Sequence, residues 1–486
     1  MKNNKYTVLS FLGMLALSVM LVSCYSLWDD LSAAPKVTIT YVSEKGTPPA
    51  PKQVNVGHKL TAADLPNIET DTEYGIWDKA IGTEITADTT ITATNWETIV
   101  YLDYSGDFKS DFPIPSGTTL KSINIVRNHT FTDTPIDCAA GSDPDYFSYE
   151  YETEGNESTL WISGNGHRIY APEDSNCMFY DLSSVTTVDL SNLYTSKVEI
   201  MDYMFGDSAG ITSILFGPGF DTSNVEYMEG MFQSCHGLES LDVSGFNTSK
   251  VTTMYQMFEH CDNLTTLDLS SFNTETVTDM GSMFNDCKKL TSLDVSSFDT
   301  SSVTSMGDMF SNCEKLTTLD VSSFNTEKVT NMGSMFNSCK ELTSLDVSNF
   351  DTSVVTNMSN MFKSCTALTT LDLSHFRTPN ATNMGGMFAS CTKLSSLNVS
   401  NFDTSKVTGF ANMFNSCTSL TSLDLSSFDT TAVHAIGATM CWSMFSNNGT
   451  DTNPLIITAS SKWTITNSAE LQTLGVDGNK VQLNII

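Results

Sequence analysis

From Phe232 to Phe414 the dipeptide Met-Phe returns every 26 residues, and a cysteine stands three places after each one, from Cys235 to Cys417. Further Met-Phe pairs end at Phe179, Phe205 and Phe445. A strict period of this length marks stacked units, each of which buries its apolar face only against its neighbours. Ordinary compact folds have no such period. Most of this chain is therefore expected to be a repeat solenoid.

Two shorter periods alternate inside a unit such as "VTSMGDMFSNCEKLTTLDVSSFNT" (303–326). Val303, Met306, Met309, Phe310, Cys313 and Leu316 recur every three or four residues, which predicts a short helical or 3-10 segment. Gly307 within it argues against a long helix. Leu319 and Val321 then alternate with Asp320 and Ser322, the beat of a strand with one buried face. After Phe324, Asn325-Thr326 predicts an Asx-type turn that caps the next helical turn at Val329.

Leu316-x-x-Leu319-x-Val321-x-x-Phe324 is the leucine-rich-repeat pattern, with Phe where Asn or Cys more often stands. From about Ile169 to Phe445 the chain resembles the BspA-like leucine-rich-repeat surface proteins of bacteria, and among them the Met-Phe-rich class found in bacterial lipoproteins. "IYAPEDSNCMFYDL" (169–182) is similar to the start of such arrays. The resemblance implies a leucine-rich-repeat solenoid over 169–450, of about ten coils. It also implies a parallel β-sheet on the concave face and short helical or 3-10 segments opposite. Ser208 stands where a Cys is expected, "GPGF" (217–220) adds one residue, and the interval from Phe414 to Phe445 carries five extra. Terminal coils are often irregular because they cap the core.

Residues 37–96 resemble the small β-rich Listeria–Bacteroides repeat of bacterial surface proteins, through Gly57, Trp77, Asp88-Thr89-Thr90 and Trp96. Ile76 separates Gly75 from Trp77, which that family usually has adjacent. This gives a stalk over 36–98. The strand-like "TIVYLDY", "LKSINIV" and "STLWIS" read as an N-terminal β cap over 99–168, and "KWTITN" with "NKVQLNII" as a C-terminal β cap over 451–486.

The first residues bear on the compartment. Lys2 and Lys5 precede an apolar run over 6–22 and then Leu21-Val22-Ser23-Cys24, which reads as a secretory signal and not a membrane span. Leu-Val-Ser-Cys resembles a bacterial lipobox, implying a signal peptide over 1–23, lipidation of Cys24 and a tether over 24–35. The alternative is a plain signal peptide with an incidental Cys24. No other segment is apolar enough to cross a membrane.

Lys and Arg number 24 against 56 Asp and Glu, a formal charge of −32. Such a surface repels phosphate backbones and anionic lipid, so no nucleic-acid partner is expected, and membrane contact only through the lipid. Catalysis has no foothold: the seven histidines are scattered, and G-x-S-x-G, H-E-x-x-H and P-loop patterns are missing. Carboxylates in identical environments do not supply a differentiated acid and base. Neither enzymatic activity nor a cofactor is expected.

The cysteine column is open to three readings: metal, disulfides or core. Metal sites use Cys pairs two to four residues apart, and stacked Cβ vectors run parallel instead of meeting in a disulfide. Core thiols are favoured. Serine in their place is expected to destabilise by roughly 1–3 kcal/mol, as a buried hydroxyl lacking a partner. Cys138 and Cys177, outside the ladder, are candidates for a bridge in an exported protein.

The acid column is Asp189, Asp242, Asp268, Asp294, Asp320, Asp346, Asp372 and Asp424, with Asn398 filling one gap. Unit charges about 5 Å apart repel by ~0.8 kcal/mol in water. Crowding is therefore expected to raise the folded pKa values, so that stability rises as pH falls toward 5. Three readings stand: a solvated ladder eased by Ser and Thr, a row of cations such as Ca²⁺, or direct contact with a partner. One coil breaks the pattern, with His375, Arg377 and Pro379 replacing Ser, Asp and Ser, and His375 and Arg377 join the candidate contact residues.

The function expected is that of a monomeric, lipid-anchored protein of the bacterial cell surface, held at the outer membrane. The family resemblance implies adhesion to a host matrix or cell-surface protein, or to another bacterial surface protein. The alternatives are a structural spacer or coat component without a ligand, and a glycan-binding surface protein. Several acyl chains hold a protein firmly on a membrane where one holds it marginally. Cys24→Ala is accordingly expected to release soluble protein into the medium, and detergent partitioning of the mutant with membranes would refute lipidation.

Overall fold

The computed structural model describes residues 36–61, 64–65, 68–69, 73–80, 82–102, 108–130, 136–137, 147–436 and 441–486. Cys24, Cys138 and the leader lie outside them. The chain divides into two compact units, Met1–Ile99 and Val100–Ile486. No helix among the described residues is long and apolar enough to cross a membrane.

In the first unit, strand Lys36–Ser43 pairs antiparallel with Lys52–Asn55 (Val37 opposite Val54) and parallel with the strand beginning at Thr89 (Tyr41 opposite Ile91). Its alternate residues Val37, Ile39 and Tyr41 form a small core with Leu60, Ile85 and Ile91. Trp77 closes this core edge-on to Tyr41, at 5.7 Å. Gly57 turns the chain at φ 86°, where a side chain is strained. Asp88 is no mere turn residue: its carboxylate accepts the Thr38 amide at 2.7 Å.

The second unit is a stack of coils on one long core. The Met-Phe rings form a continuous parallel stack from Phe179 through Phe310 to Phe445, with neighbouring centroids 5.4–5.9 Å apart. Phe108 covers one end at 5.3 Å and Trp463 the other at 6.3 Å. Val303, Met306, Met309, Phe310, Cys313 and Leu316 of one coil are all fully buried. Each such large side chain contributes roughly 1.5–3 kcal/mol, and only when both neighbouring coils are present.

The segment expected to be helical is instead a series of turns. Alternate amides leave the coil: Met306, Asp308, Phe310 and Asn312 donate to the carbonyls of Asn331, Gly333, Met335 and Asn337, at 2.7–3.0 Å. The amides between them turn back three residues, as Met309 does to Met306, Ser311 to Asp308 and Cys313 to Phe310. An α-helix needs every amide for its own i−4 carbonyl, so the bonds between coils exclude it. The alternation forces two left-handed residues into each coil, here Asp308 (φ 56°) and Asn312 (φ 58°). These places carry Ser, Asn, Asp, Gln, His or Gly in the described coils from 256 to 416. Asn and Asp tolerate that conformation best after Gly. Gly307, which the sequence marked, is not one of them.

The strand segment keeps its alternation, with Leu319 and Val321 buried and Asp320 and Ser322 exposed. Yet the expected continuous sheet is formed only at the two ends. Thr187–Leu190 pairs with Ser213–Phe216 and Thr119–Val126, in a six-stranded sheet that continues through Glu157–Ser163, Ser148–Glu154 and Ile136–Asp137. At the other end Ser422–Leu425, Leu455–Ala459 and Val481–Ile485 run parallel. Between them the bonds along this edge are sparse and long, such as Thr265 to Glu239 at 3.2 Å and Thr291 to Thr265 at 3.4 Å. On this edge Phe376, Phe402 and Phe428 stand 6.2 and 6.4 Å apart, wider than the Met-Phe stack.

Side chains rivet the coils further. Thr300, fully buried, donates its hydroxyl to the Asn325 carbonyl at 2.9 Å and accepts the Asn325 amide at 2.7 Å. Equivalent threonines from Thr195 to Thr404 donate to the next coil in the same way. The Asx turn is present, Asn325 Oδ1 accepting the Glu327 amide.

The ladder cysteines are free, buried thiols, and Cys177, also free, lies against Asn176. They are more than small hydrophobes. Cys313 Sγ donates to the Phe284 carbonyl of the preceding coil at 3.3 Å, and every ladder Cys repeats this bond at 3.0–3.3 Å. Ser208, in the Cys position of its coil, donates to the Phe179 carbonyl at 2.8 Å. Asn448, in that position of the last coil, donates to the Phe414 carbonyl at 2.6 Å. The column needs a buried donor, so the expectation that serine would lack a partner is corrected. Cys313→Ser should lie within about 1 kcal/mol of wild type, whereas Cys313→Ala, which loses donor and volume, should cost about 1–3 kcal/mol. Chemical denaturation distinguishes them; equal losses would show that packing alone matters.

Candidate acidic interface on the strand face

Asp242, Asp268, Asp294, Asp320, Asp346, Asp372 and Asp424 all stand exposed on the strand edge. Each accepts the amide of the Ser two residues on, at 2.9–3.0 Å, as Asp320 does from Ser322. Asn398 takes the same bond from Ser400 at 3.1 Å. The acid is thus a turn-maker first, since an amide side chain serves equally.

These bonds decide the electrostatics. The Ser322 hydroxyl, then its amide, holds the Asp320 carboxyl below the usual carboxylate range, against a weaker upward push from Asp294 and Asp346. Asp242 and Asp294 are lowered in the same way by Ser244 and Ser296. For Asp268, Asp346 and Asp372 the amide of Ser270, Ser348 or Ser374 leads and the hydroxyl follows. The expectation that crowding raises these pKa values is corrected: local hydrogen bonds on an exposed surface outweigh repulsion between coils.

Two shallow grooves follow the row. One, of about 460 Å³, is lined by Leu293, Asp294, Leu319, Asp320 and Asp346 with hydroxyls between them, and the other, of about 370 Å³, by Asp268 and Asp294. His375 stands edge-on to Phe376 at 5.0 Å, near enough for its charge to favour ionised Asp346 and Asp372. Arg377 folds back onto the Phe376 and Ser374 carbonyls, at 3.0 and 3.3 Å, so it serves its own turn. Two groups of His and carboxylate among the described residues are close enough to share an ion, His129/Glu150/Glu152 and His260/Asp262/Asp286, and neither contains a row Asp. In the second, Lys288 Nζ already bridges Asp262 and Asp286 at 3.1 Å each.

The sequence reading missed a second acidic group, on the Met-Phe side of the early coils. Burial pushes the Asp202 carboxyl up to about 6, with Glu229 and Asp174 adding repulsion against the Glu229 amide that it accepts. Asp279 and Asp308 are also raised by burial. Tyr203 donates to Glu229 at 2.7 Å, and Glu259, buried, accepts from Gln233 and Asn285. The signal lay in positions where successive coils differ, which a search for the constant residues passes over.

The two groups give opposite pH slopes. Asp242, Asp268, Asp294, Asp320, Asp346 and Asp372 have lowered folded pKa values, so their contribution is present above the unfolded value and is lost as pH falls through the folded one. Asp202, Asp279 and Asp308 have raised values, so the folded state takes up protons first and gains stability as pH falls from 7 toward 5. The melting temperature is expected to rise from pH 7 to 5 and to fall below about pH 4. Asp202→Asn should flatten the rise and Asp320→Asn should not; the reverse result would return the effect to the row.

Comparison with curated proteins gives no match. One family model matches in four overlapping segments, 173–293, 253–371, 286–397 and 365–474, which follow the stacked coils and cover more than half of the chain. The chain belongs to the repeat family described as "Mycoplasma protein of unknown function, DUF285".

Proposed function

We propose that this is a lipid-anchored bacterial surface protein whose leucine-rich-repeat-type coils bind a protein partner on host matrix, host cells or other bacteria. The observation that carries the reading is the exposed acid row with its grooves. Each carboxylate is held through one oxygen by the amide of its own turn and stands exposed. Rigid, evenly spaced acceptors suit a basic protein surface, because pre-ordered groups lose little entropy on binding. A repeat array offers extended surface more readily than an enclosed pocket.

The spacer reading has one observation in its favour. The bond from each Asp to its Ser accounts for the repeated acid without a ligand.

The two readings separate on one variant. Asp294→Asn/Asp320→Asn/Asp346→Asn keeps every turn acceptor, as Asn398 does, and removes three charges. Capture of the wild-type chain by immobilised matrix proteins is expected to weaken with added salt and to drop at least tenfold in the variant, while the melting temperature changes by a few degrees at most. Unchanged capture would move the partner to another face. No capture by wild type would favour the spacer.

A further inference from the structure

The opposite side of the late coils carries a feature of different chemistry. A shallow trough of about 510 Å³ crosses three coils between Ser359 and Asn415. Gly385 and Gly386 lie in its floor, where the missing side chain of Gly386 makes room for Asn360 Oδ1, and its lining also carries Lys363, Ser390 and Asn412. Among the described residues no hydrogen bond engages the side chains of Asn360, Lys363 or Ser390, while Asn412 Oδ1 accepts from Asn415 at 3.3 Å and its amide nitrogen is left to donate. Neighbouring amides are already spent in the stack, Asn357 Nδ2 donating to Asn331 and Asn383 Oδ1 accepting the Gly385 amide. The side chains of Asn360, Lys363 and Ser390 are therefore not consumed by the stack.

Charge sets the trough apart. In a chain of net charge −32 it has no carboxylate in its lining, and Lys363 is its single charged group. Ser359, Gly385 and Ala411 stand in one column of successive coils, and the next residue of that column is Trp442. Its indole is 54% exposed, and the two coils are joined where the Asn412 amide meets the Trp442 carbonyl at 3.0 Å. Small residues thus lead along the column to one large exposed aromatic.

Amides, a hydroxyl and an ammonium not engaged by the stack, with an exposed aromatic in the adjoining coil, match the chemistry of a sugar. Its hydroxyls take both donors and acceptors, and its apolar C–H face covers an indole. A purely apolar ligand would leave the amides desolvated and unpaired, and a basic peptide would meet Lys363 and no acid. We propose that the trough is a carbohydrate-binding site for a neutral or acidic oligosaccharide, separate from the acidic strand face.

The test titrates the full chain with a panel of soluble glycans: mannan fragments, N-acetyllactosamine oligomers, sialylated oligosaccharides and chondroitin sulfate. At least one is expected to bind. Trp442→Ala and Asn360→Gly should each weaken it about tenfold or more, a difference of about 1.4 kcal/mol or above. Gly386 already holds a left-handed conformation (φ 66°) in the coil after that of Asn360, so Asn360→Gly keeps the backbone, and an unchanged melting temperature verifies this. Asp294→Asn/Asp320→Asn/Asp346→Asn should leave glycan binding unaltered. Failure of every glycan to bind would overturn the proposal, as would binding indifferent to Trp442→Ala and Asn360→Gly, or binding lost in the Asp variant.

Discussion

A coil of 26 residues cannot satisfy its own buried polar groups, and the structure follows from how each is met by the neighbouring coil. Half of the amides in the Met-Phe segment point at the next coil. The ladder thiol reaches the carbonyl of the Phe before it. The buried threonine both donates to and accepts from the turn that follows. Each bond spans nearly a full period, so an insertion in one coil would leave polar groups unpaired in two. This accounts for a register held without slip from Phe232 to Phe414, which apolar packing alone would not demand, since hydrophobic contact is tolerant of small shifts.

The same requirement sorts the surface. Where a side chain supplies a coil with a bond, variation is narrow, and substitutes preserve the chemistry: Ser208 and Asn448 for Cys, Asn398 for Asp. Where no bond recurs from coil to coil, the coils diverge. The early coils gather Tyr203, Asp202, Glu229 and Glu259, and the later ones Asn360, Lys363 and Trp442. Differences between coils are thus the places to look for recognition, because the bonds repeated along the whole stack do not depend on them.

Electrostatics separates the two sides of the array in a way that composition conceals. An acid held by its own turn in water stays ionised whatever its neighbours do, as along the Asp320 row. An acid half-withdrawn from water next to others, such as Asp202, is pushed up to about 6. Identical residues in one acidic chain therefore carry opposite pH dependence, decided by hydration and hydrogen bonding more than by density of charge.

Much was legible in the sequence itself. The period, the inward positions of Val303, Met306, Phe310 and Leu316, the alternation around Asp320 and the Asx turn at Asn325 follow from spacing, because burial is periodic wherever the backbone is. Strands outside the repeat, such as those within "LKSINIV" and "STLWIS", were legible too. Tertiary structure alone decided where each hydrogen bond goes. A three-to-four-residue apolar beat is shared by a helix and by turns that send alternate amides sideways, and only the neighbouring coil distinguishes them. Whether Leu319 and Val321 join a sheet depends on how closely the neighbouring extended segments approach, a distance that spacing along the chain does not encode. The donor role of the cysteines and the trough of the late coils are likewise properties of contacts between coils, which a linear pattern can bring together but cannot measure.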